Sequence, residues 1–269
     1  MFDAILITPF VNIILFIYKL IGGNFGIAII LFTILVRLIT WPLQSKSIKS
    51  AKAMQDLQKD KRYIDIQTKY KNDKEKLAQA QMQLYKDMKI SPFASCLPTL
   101  IQLPIIIGLY QALILALATT QYDLLRLTNH IYPGFLSVAD LIPLNRDFLW
   151  MNLSQPERLF IPGLSFGIPV LTIVVVVTTY MQQKLMTPPT TGPADQTSQM
   201  TGMMNIYMPL LMGWISFTLS AGLAVYFVVS NLIIILQYAI MGQLNWRNII
   251  PGQKAKPEII QAKKQTRIK

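Results

Sequence analysis

Arg37 lies inside an apolar run, from Gly26 to Leu43, that is long enough to cross a bilayer. A guanidinium at the centre of a membrane helix costs about 2.5–3.5 kcal/mol even on the most lenient insertion scale, and arginine keeps its charge. If Arg37 is considered without the rest of the chain, two explanations are possible. Either Arg37 serves a functional polar site within the membrane, or its long stem carries the charge to the headgroups, since Leu43 is only ~9 Å further along a helix.

Further polar side chains recur in the other apolar segments of the chain. Thr33 lies one helical turn before Arg37 on the same face. Taken singly, such residues usually make hydrogen bonds between helices. Here they accompany an arginine that has no acidic residue in any apolar segment to pair with, so the guanidinium must find water, backbone carbonyls or an acidic ligand. This favours a functional cavity, and its further polar candidates are Gln102, Thr172, Asn205, Ser230, Asn231 and Gln237.

The residues needed for metal, redox or covalent chemistry are scarce. His130 and Cys96 are the only residues of their types, which argues against a His/Cys metal site and excludes an intrachain disulfide. The sequence contains no glycine-rich loop followed by Lys-Ser or Lys-Thr, so nothing in it indicates an ATP-driven pump. Gly163–Gly167 matches the Gly-x-Ser-x-Gly pattern of serine hydrolases, but it falls at the predicted start of a membrane helix, where small residues usually serve close packing. We therefore expect no enzyme activity, no cofactor and no metal.

The composition is that of a helical membrane protein. Hydrophobic residues make up 52% of the 269 positions, and the mean hydropathy is +0.41. Several apolar runs approach the ~20 residues that a spanning helix needs. Trp41 and Pro42, an interfacial aromatic beside a helix breaker, mark the expected end of the first span. The prediction is an all-α polytopic fold with five core transmembrane helices, at Asn24–Leu43, Pro92–Ala118, Phe160–Gln183, Met203–Leu219 and Gly222–Gly242.

The N-terminal segment, residues 1–23, is separate from this core of residues 24–242. Ala4–Tyr18 is apolar but extends only ~22 Å as a helix, and two glycines follow it. A secretory signal is not indicated, because Asp3 is the only early charge. We expect an interfacial helix at the outer membrane surface, with an additional span as the alternative.

Residues 45–90 are polar, strongly charged and free of glycine and proline. The absence of helix breakers predicts helix, and Asn72 with a glutamate three residues later resembles an N-cap. We expect a cytoplasmic helical hairpin, with one helix to about Tyr70, a turn at Lys71–Asp73 and a second helix to about Lys89. A charged protrusion without a binding partner is the simpler alternative.

The positive charge is concentrated in two places. Residues 45–90 contain 12 Lys/Arg and 6 Asp/Glu, and residues 243–269 contain 7 Lys/Arg and 1 Glu, so each segment carries a net +6. Residues 117–159 carry a net −1. Because an excess of Lys and Arg marks the cytoplasmic side, we expect the N-terminus outside, and the hairpin, the loop 185–199 and the basic tail 243–269 inside. Such segments also attract anionic lipid headgroups and ribosomal RNA.

Several longer motifs occur in a fixed order along the chain. They are Phe-Thr-Ile-Leu-Val-Arg at 32–37 followed by Trp-Pro-Leu, Leu-Tyr-Lys at 84–86, the proline-containing run 91–105, Gln-Gln-Lys-Leu at 182–185, Met-Pro at 208–209 and the small-residue and aromatic run 220–232. In sequence and spacing they resemble the YidC/Oxa/Alb family of membrane protein insertases. The resemblance covers the chain from about Asn24 to Gln243.

The resemblance implies five core helices that enclose a hydrophilic groove, open to the cytoplasm and to lipid but sealed toward the outside. By position, Arg37 is the single arginine of that groove. Family members often carry a tyrosine at the position of Phe227, so an aromatic contact is kept here while a hydroxyl is lost. The implied substrate-binding groove residues are Arg37, Thr33, Gln102, Tyr226, Phe227 and Asn231.

The function that the resemblance implies is that of a membrane protein insertase and chaperone. It would move short hydrophilic segments of nascent membrane proteins across the plasma membrane of a bacterium and release their helices into lipid. The implied partners are nascent membrane proteins, membrane lipids, and the ribosome and targeting factors through the hairpin and the tail; the Sec translocon is a further candidate, and no DNA partner is expected. Alternatives are a purely structural assembly factor, or a small-solute transporter or channel in which Arg37 binds an anion. The absence of an internal sequence repeat weighs against the transporter.

Overall fold

A computed structural model describes residues 3–58, 60–70, 73–88, 90, 97–117, 120–134, 136, 144–160, 162, 167–186 and 196–245. In this part of the chain the fold is helical, with one short β-hairpin. A π-helical turn, Asp3–Ile7, precedes the first α-helix. The elements are α1 (Thr8–Leu20), α2 (Phe25–Gln58), α3 (Lys61–Lys69), α4 (Lys74–Asp87), α5 (Leu97–Ala116), α6 (Gln121–His130), β1 (Asp147–Phe148), β2 (Met151–Asn152), α7 (Val170–Met186), α8 (Gln196–Thr218) and α9 (Ala221–Ile240).

Three helical segments are long and apolar enough to cross a membrane: Asp3–Leu20, Phe25–Gln58 and Ala221–Ile240. Gln102–Ala116 and Val170–Met186 are shorter apolar helices. Many of their apolar side chains point away from the protein; Ile39 on α2 and Leu236 on α9 are more than half exposed. The prediction of a helical protein with membrane-spanning segments is therefore confirmed.

The N-terminal segment packs closely on the rest of the helices. Phe10 of α1 meets Phe32 of α2 edge to face, with ring centroids 5.1 Å apart, and Gly108 of α5 leaves room for α1. Val11 and Ile14 are fully buried against these neighbours. The sequence favours an interfacial position for this segment, but its length and apolar character also meet the requirements of a span, which was the alternative.

Helix α2 does not end at Trp41–Pro42 as expected, but continues through both residues to Gln58. Neighbouring polar groups support the backbone around the proline. The Thr40 hydroxyl donates to the carbonyl of Val36 at 2.9 Å, and the Gln237 side chain of α9 donates to the Trp41 carbonyl at 3.3 Å. Neither bond reaches the Leu38 carbonyl, which loses its helical donor at Pro42, but together they restrain the backbone on both sides of it.

The charged segment forms a small helical hairpin, α3 and α4, beyond the end of α2. Leu57, Tyr63 and Leu84 make its apolar core. The single helix expected to run to Tyr70 is instead interrupted at Asp60, whose carboxylate accepts the Arg62 backbone N–H and so begins α3 as a new helix. Asp73 caps α4 in the same way; the predicted cap, Asn72, lies outside the described residues.

The remaining helices differ from the predicted spans mainly at their starts. Helix α7 begins at Val170, ten residues later than the predicted start at Phe160. Leu159 and Ile168 pair there through two backbone hydrogen bonds, and Pro169 precedes the helix. Helix α8 begins earlier than predicted, at Gln196, and α7 continues to Met186, so both ends of the predicted loop 185–199 are helical. Residues 163–166 of the hydrolase-like motif lie outside the described part of the chain.

One end of the helix group is covered by the described residues from 120 to 160, which we call the cap. It comprises α6, the β-hairpin and the segment that leads toward α7. The cap packs tightly on α2 and α9: a Cβ placed on Gly26 would lie 2.1 Å from the Phe148 ring, and the Gly222 N–H donates to the Leu153 carbonyl at 3.1 Å. The apolar core of the protein lies just beneath the cap.

Candidate functional site

Arg37 is buried in the middle of the helix group. It is only 5% exposed, although nothing in its own helix pairs with its charge. No carboxylate among the described residues forms an ion pair with it, and its Nε atom has no hydrogen-bond partner there. The snorkelling explanation requires the guanidinium to reach the surface, and this degree of burial disagrees with it.

The Arg37 side chain lines a cavity of about 290 Å³. Helices α2, α5, α7, α8 and α9 all contribute to its wall, which extends along α2 from Arg37 to Ala51. Asp and Glu are absent from the described lining, so Arg37 gives the cavity a positive charge. Polar side chains also line the cavity beside Arg37: Gln44, Ser47, Gln102, Thr179, Gln182, Gln183, Tyr226, Ser230 and Asn231.

Two of the predicted residues meet across the α5–α9 contact. The Gln102 amide donates a hydrogen bond to the Tyr226 hydroxyl, and both side chains line the cavity. Phe227, the next residue of α9, is 6% exposed and also lies in the wall. Tyr226 and Phe227 therefore give one side of the cavity an aromatic surface.

Asn231 lies on the same helix and is held from α7. Its side-chain amide donates to the Thr179 hydroxyl at 2.9 Å and to the Thr178 hydroxyl at 3.2 Å. These bonds fix the amide between α7 and α9, so Asn231 both lines the cavity and joins two of its walls.

Thr33, the sixth predicted residue, is placed differently. It is fully buried and its hydroxyl donates to the Ile29 carbonyl at 2.6 Å. It is not among the lining residues of the cavity. The structure thus brings Arg37, Gln102, Tyr226, Phe227 and Asn231 together and leaves Thr33 inside the helix packing.

Several lining residues lie outside the six groove residues that the resemblance implies, although Ser230 was already one of the polar candidates for the cavity. Gln182 of α7 and Ser230 of α9 contribute polar atoms, and Met208 and Met212 of α8 contribute flexible apolar side chains. The signal for Ser230 is its spacing of four residues from Tyr226, which places both on one face of α9. The methionines give this wall a flexible apolar surface that can adapt to varied apolar ligands.

The cap closes the helix group at the end where α7 and α9 begin. Glu157 is buried, and its two carboxylate oxygens accept separate hydrogen bonds, from Trp150 Nε1 at 2.8 Å and from the Leu171 N–H at 2.9 Å. The second bond satisfies a free backbone donor in the first turn of α7, where a negative charge is favourable. The α8–α9 turn is held by the Ala221 N–H, which donates to the Gln155 carbonyl at 2.8 Å.

The described residues hold no group of His, Cys, Asp and Glu arranged for a metal ion. Nor do the polar residues around Arg37 form a nucleophile–base pair. The cavity around Arg37 offers hydrogen bonds and one positive charge in an otherwise apolar setting. What the arrangement offers is therefore binding and shelter for a polar group, with apolar surface beside it.

The chain is similar to known proteins in family, in sequence and in structure. The family described as 60Kd inner membrane protein matches residues 16–247. The membrane protein insertase MisCA of Bacillus subtilis is 34% identical over 237 residues, which cover 87% of this chain and 77% of that protein. The membrane protein insertase YidC of Fusobacterium nucleatum is 37% identical over 220 residues, covering 81% of this chain and 87% of that one.

A solved structure supports the same relationship. The crystal structure of an active YidC insertase with its first transmembrane domain resolved matches with a TM-score of 0.54 and 26% identity. The match covers 88% of this chain and 46% of that chain. The chain also spans 37% of the YidC of Nitratidesulfovibrio vulgaris, to which it is 33% identical over 230 residues. The likeness thus covers nearly all of this chain but only part of these longer proteins.

Proposed function

The chain belongs to the YidC/Oxa/Alb family of membrane protein insertases, and from this membership and the geometry around Arg37 we propose how it acts. It is a membrane protein insertase and chaperone that moves short hydrophilic segments of nascent membrane proteins across the bilayer. Because the chain belongs to this family, we favour the insertase over the small-solute transporter or channel. The closing experiment still tests the anion-binding alternative.

The single observation that carries the mechanism is the buried, unpaired Arg37 in the wall of the cavity. A charge in this position is expensive unless water or a ligand accompanies it. Five helices surround the cavity, and in our proposal α2, α5, α7, α8 and α9 are the five core spans. The cavity between them is then a hydrophilic groove within the membrane.

We assign the two ends of the groove from charge and packing. Residues 117–159, which include most of the cap, carry a net charge of only −1. In our proposal the cap therefore faces outside and seals the groove. The helical hairpin, the connection between α7 and α8 and the basic tail 243–269 face the cytoplasm, in accordance with the positive-inside rule. The groove opens toward that side, since its wall continues along α2 as far as Ala51.

Insertion in such a groove requires no covalent chemistry. A polar segment of the client enters the hydrated cavity, which shortens the apolar path that the segment must still cross. Arg37 offers a charge-assisted hydrogen bond to an acidic residue of that segment. The apolar helix of the client meanwhile leaves sideways into lipid, where burial of its apolar surface is favourable.

The hairpin and the tail are the proposed docking sites for delivery. Residues 45–90, which comprise the end of α2 and the hairpin, carry a net charge of +6, and so does the tail 243–269; this charge suits ribosomal RNA and anionic lipid headgroups. Ribosomes and targeting factors are thus the proposed partners on the cytoplasmic side of a bacterial plasma membrane, and the Sec translocon is a further candidate within it.

Reconstituted insertion tests this function. Purified protein is placed in liposomes, a client of one or two spans with a short acidic outer tail is added, and protection of that tail from external protease is measured. Wild-type protein is compared with Arg37→Ala and Arg37→Lys. We expect protection with wild type, about a tenfold loss with Arg37→Ala, and partial retention with Arg37→Lys, because lysine keeps the charge without the planar guanidinium.

The outcomes separate the hypotheses. Equal protection by all three proteins would keep the insertase but exclude a role for the Arg37 charge. A loss in Arg37→Ala that is the same for acidic and neutral tails would contradict the electrostatic mechanism. If liposomes with protein protect no more than empty ones, autonomous insertion is wrong, and anion flux through the same liposomes becomes the next measurement.

A further inference from the structure

One side of helix α2 changes from apolar to basic while it stays exposed. The exposed apolar residues recur every three or four positions, which places them on one side of the helix. They are Ile27, Leu31, Ile34, Leu35, Leu38, Ile39 and Leu43. The next exposed residues are Lys46, Lys49 and Lys52, at the same spacing. This exposed stripe of α2 therefore presents about 24 Å of apolar surface and then three ammonium groups.

The cavity lies on the other side of the same helix. Arg37, Gln44 and Ile48 line the cavity, and they are about half a helical turn away from the exposed stripe. Helix α2 thus separates the cavity from the surroundings of the protein. The three lysines are therefore not part of the candidate site around Arg37.

The level of Lys46 along the helix is that of the lipid headgroups. Leu43, the last exposed apolar residue of the stripe, precedes Lys46 by three residues, or ~4.5 Å. Helix α9 ends near the same level: Gln237 donates to the Trp41 carbonyl at 3.3 Å, and exposed Ile240 ends the helix three residues later. The apolar surfaces of two neighbouring helices thus end together, as expected where the hydrocarbon of a bilayer gives way to headgroups.

The charges of these lysines are available to a ligand. No carboxylate among the described residues forms an ion pair with Lys46, Lys49 or Lys52. Asp56, the next acidic residue along the exposed side, follows Lys52 by one turn and lies further from the apolar surface. The stems of Lys46 and Lys49 can lie along the apolar surface while their ammonium groups reach the headgroups.

A lipid phosphate matches this arrangement in both charge and position. An ammonium forms charge-assisted hydrogen bonds with phosphate oxygens, and lysines beside a membrane favour acidic over neutral headgroups. The phosphates of RNA carry the same charge. The stripe, however, is continuous with the surface that lies against lipid, so a lipid headgroup is already in place where the apolar residues end.

We propose that Lys46 and Lys49, followed by Lys52, form a binding site for the headgroup of an acidic phospholipid at the cytoplasmic end of the α2 span. The inference goes beyond the proposed insertase function and does not depend on it, because the site and the cavity lie on opposite sides of the helix. It divides the basic segment 45–90 in two. The lysines of α2 bind lipid, and those of the hairpin remain for the ribosome.

The test measures the lipids around the full-length protein in bilayers of phosphatidylcholine and phosphatidylglycerol. A bimane label is attached at Leu43→Cys after Cys96→Ser removes the only native cysteine. Quenching by nitroxide-labelled phosphatidylglycerol is compared with quenching by phosphatidylcholine that carries the same label and chains. The ratio gives the preference for the acidic lipid beside Lys46.

Three pairs of substitutions are made in this labelled protein. The first, Lys46→Gln with Lys49→Gln, removes two charges from the stripe. The second, Lys46→Arg with Lys49→Arg, keeps both charges. The matched control, Lys61→Gln with Lys86→Gln, removes two charges from exposed positions of the hairpin, beyond the end of α2.

We expect the first pair to lower the preference for phosphatidylglycerol by about tenfold or more, because each lysine near an anionic surface contributes about fivefold in affinity. The arginine pair should keep the preference within about twofold. The hairpin pair should also leave it within about twofold, since the end of α2 is more than ~20 Å from Leu43 and charges are screened over ~10 Å at 0.1 M salt.

Two results would overturn the inference. Equal losses in the α2 pair and the hairpin pair would show that the lipid responds to net charge and not to a site. An unchanged preference in the α2 pair would show that these lysines do not bind lipid, and weaker co-sedimentation of that variant with ribosomes would then assign them to RNA. Thermal unfolding in detergent identifies a misfolded variant. A protein that inserts no client but keeps the lipid preference would count against the insertase function alone.

Discussion

The cap and the cavity treat buried polar groups in opposite ways. In the cap, both oxygens of Glu157 are paired, and Asn12 of α1 donates to His130 and accepts from the Tyr132 N–H at the edge of the same region. In the cavity, Arg37 and Ser230 are just as buried but keep unpaired atoms. Ser216 and Ser220, which do not line the cavity, also keep unpaired hydroxyls, so a missing partner does not by itself mark a binding group. The contrast lies in the buried charges: the protein pairs Glu157 in the cap and leaves Arg37 in the cavity without a carboxylate among the described residues.

The largest effect is expected from breaking the pairing in the cap. Glu157→Ala leaves the Trp150 N–H and the Leu171 N–H buried without partners. We expect a loss of roughly 3–4 kcal/mol in the free energy of unfolding, because each such donor costs about 1–3 kcal/mol. Thermal unfolding in detergent measures this loss. Glu157→Gln can accept only one of the two hydrogen bonds, so its stability should fall between those of wild type and Glu157→Ala. A wild-type midpoint for Glu157→Ala would mean that the cap does not depend on this carboxylate.

A smaller effect is expected from the close approach between α2 and the β-hairpin. Gly26→Ala places a methyl group 2.1 Å from Cδ2 of Phe148, so the ring must move. We expect a destabilisation of about 1–3 kcal/mol, the usual cost of overpacking. Gly202→Ala is the matched control, since nothing lies within 4 Å of a Cβ at that position. Phe148→Leu combined with Gly26→Ala should recover part of the loss; no recovery would place the strain elsewhere.

For a substitution of Arg37 in the cavity, we expect the change in stability to have the opposite sign. Arg37→Leu removes a buried charge that the protein does not pair, so we expect unchanged stability or a gain of roughly 1–2 kcal/mol, together with loss of insertion of acidic tails. Unfolding midpoint and protease protection are measured on the same preparation. A strongly destabilised Arg37→Leu protein would show that Arg37 supports the fold, and the contrast with the cap would disappear.

The smallest effect lies in the helical hairpin, away from both regions, and depends on pH. The hydrogen bond and charge of Arg62 lower the pKa of Asp60, whose carboxylate begins α3. The stabilisation is therefore complete above the pKa of a free aspartate, about 3.9, and is lost as the pH falls through the lower value of the folded state. The cap is worth about 1 kcal/mol.

Hydrogen exchange of residues 61–65 in the full-length protein measures this effect. We expect slow exchange from pH 7 to 5 and faster exchange, after correction for the intrinsic rate, below about pH 4. Asp60→Asn keeps a capping oxygen without an ionisable group, so it should show no acid transition. An acid transition that persists in Asp60→Asn would assign it to another residue, such as Asp73, whose pKa is also lowered, by its hydrogen bond to Lys76.

The sequence was informative about residue types and poor at local boundaries. Arg37, Gln102, Tyr226, Phe227 and Asn231 were predicted for one site, and all five line the cavity. Their selection came from the resemblance and from polar residues in apolar helices, both of which are visible in the sequence. Ser230 was named on the second of these signals and lines the cavity, and Gln182 lines it without having been named. Thr172, Asn205 and Gln237 were named on the same signal and are not among the lining residues.

The boundaries depend on contacts that are distant in sequence. Pro42 reads as a helix end, but Gln237, on another helix and nearly 200 positions later, supports the backbone there. The start of α7 is set by the pairing of Leu159 with Ile168 and not by hydrophobicity. Thr33 shares a helical face with Arg37 in the sequence, yet its hydroxyl bonds within its own helix instead of facing the cavity.

The continuity of α2 has a mechanical consequence. The helix is 34 residues long, about 51 Å at 1.5 Å per residue, and contacts the cap at Gly26, carries Arg37 in its first half and ends beside the hairpin. These three points therefore lie on one continuous helix. We expect a movement of the hairpin to shift the end of α2 and, through the helix, the surroundings of Arg37, and the hydrogen bond from Gln237 to the Trp41 carbonyl to restrain the stretch between them.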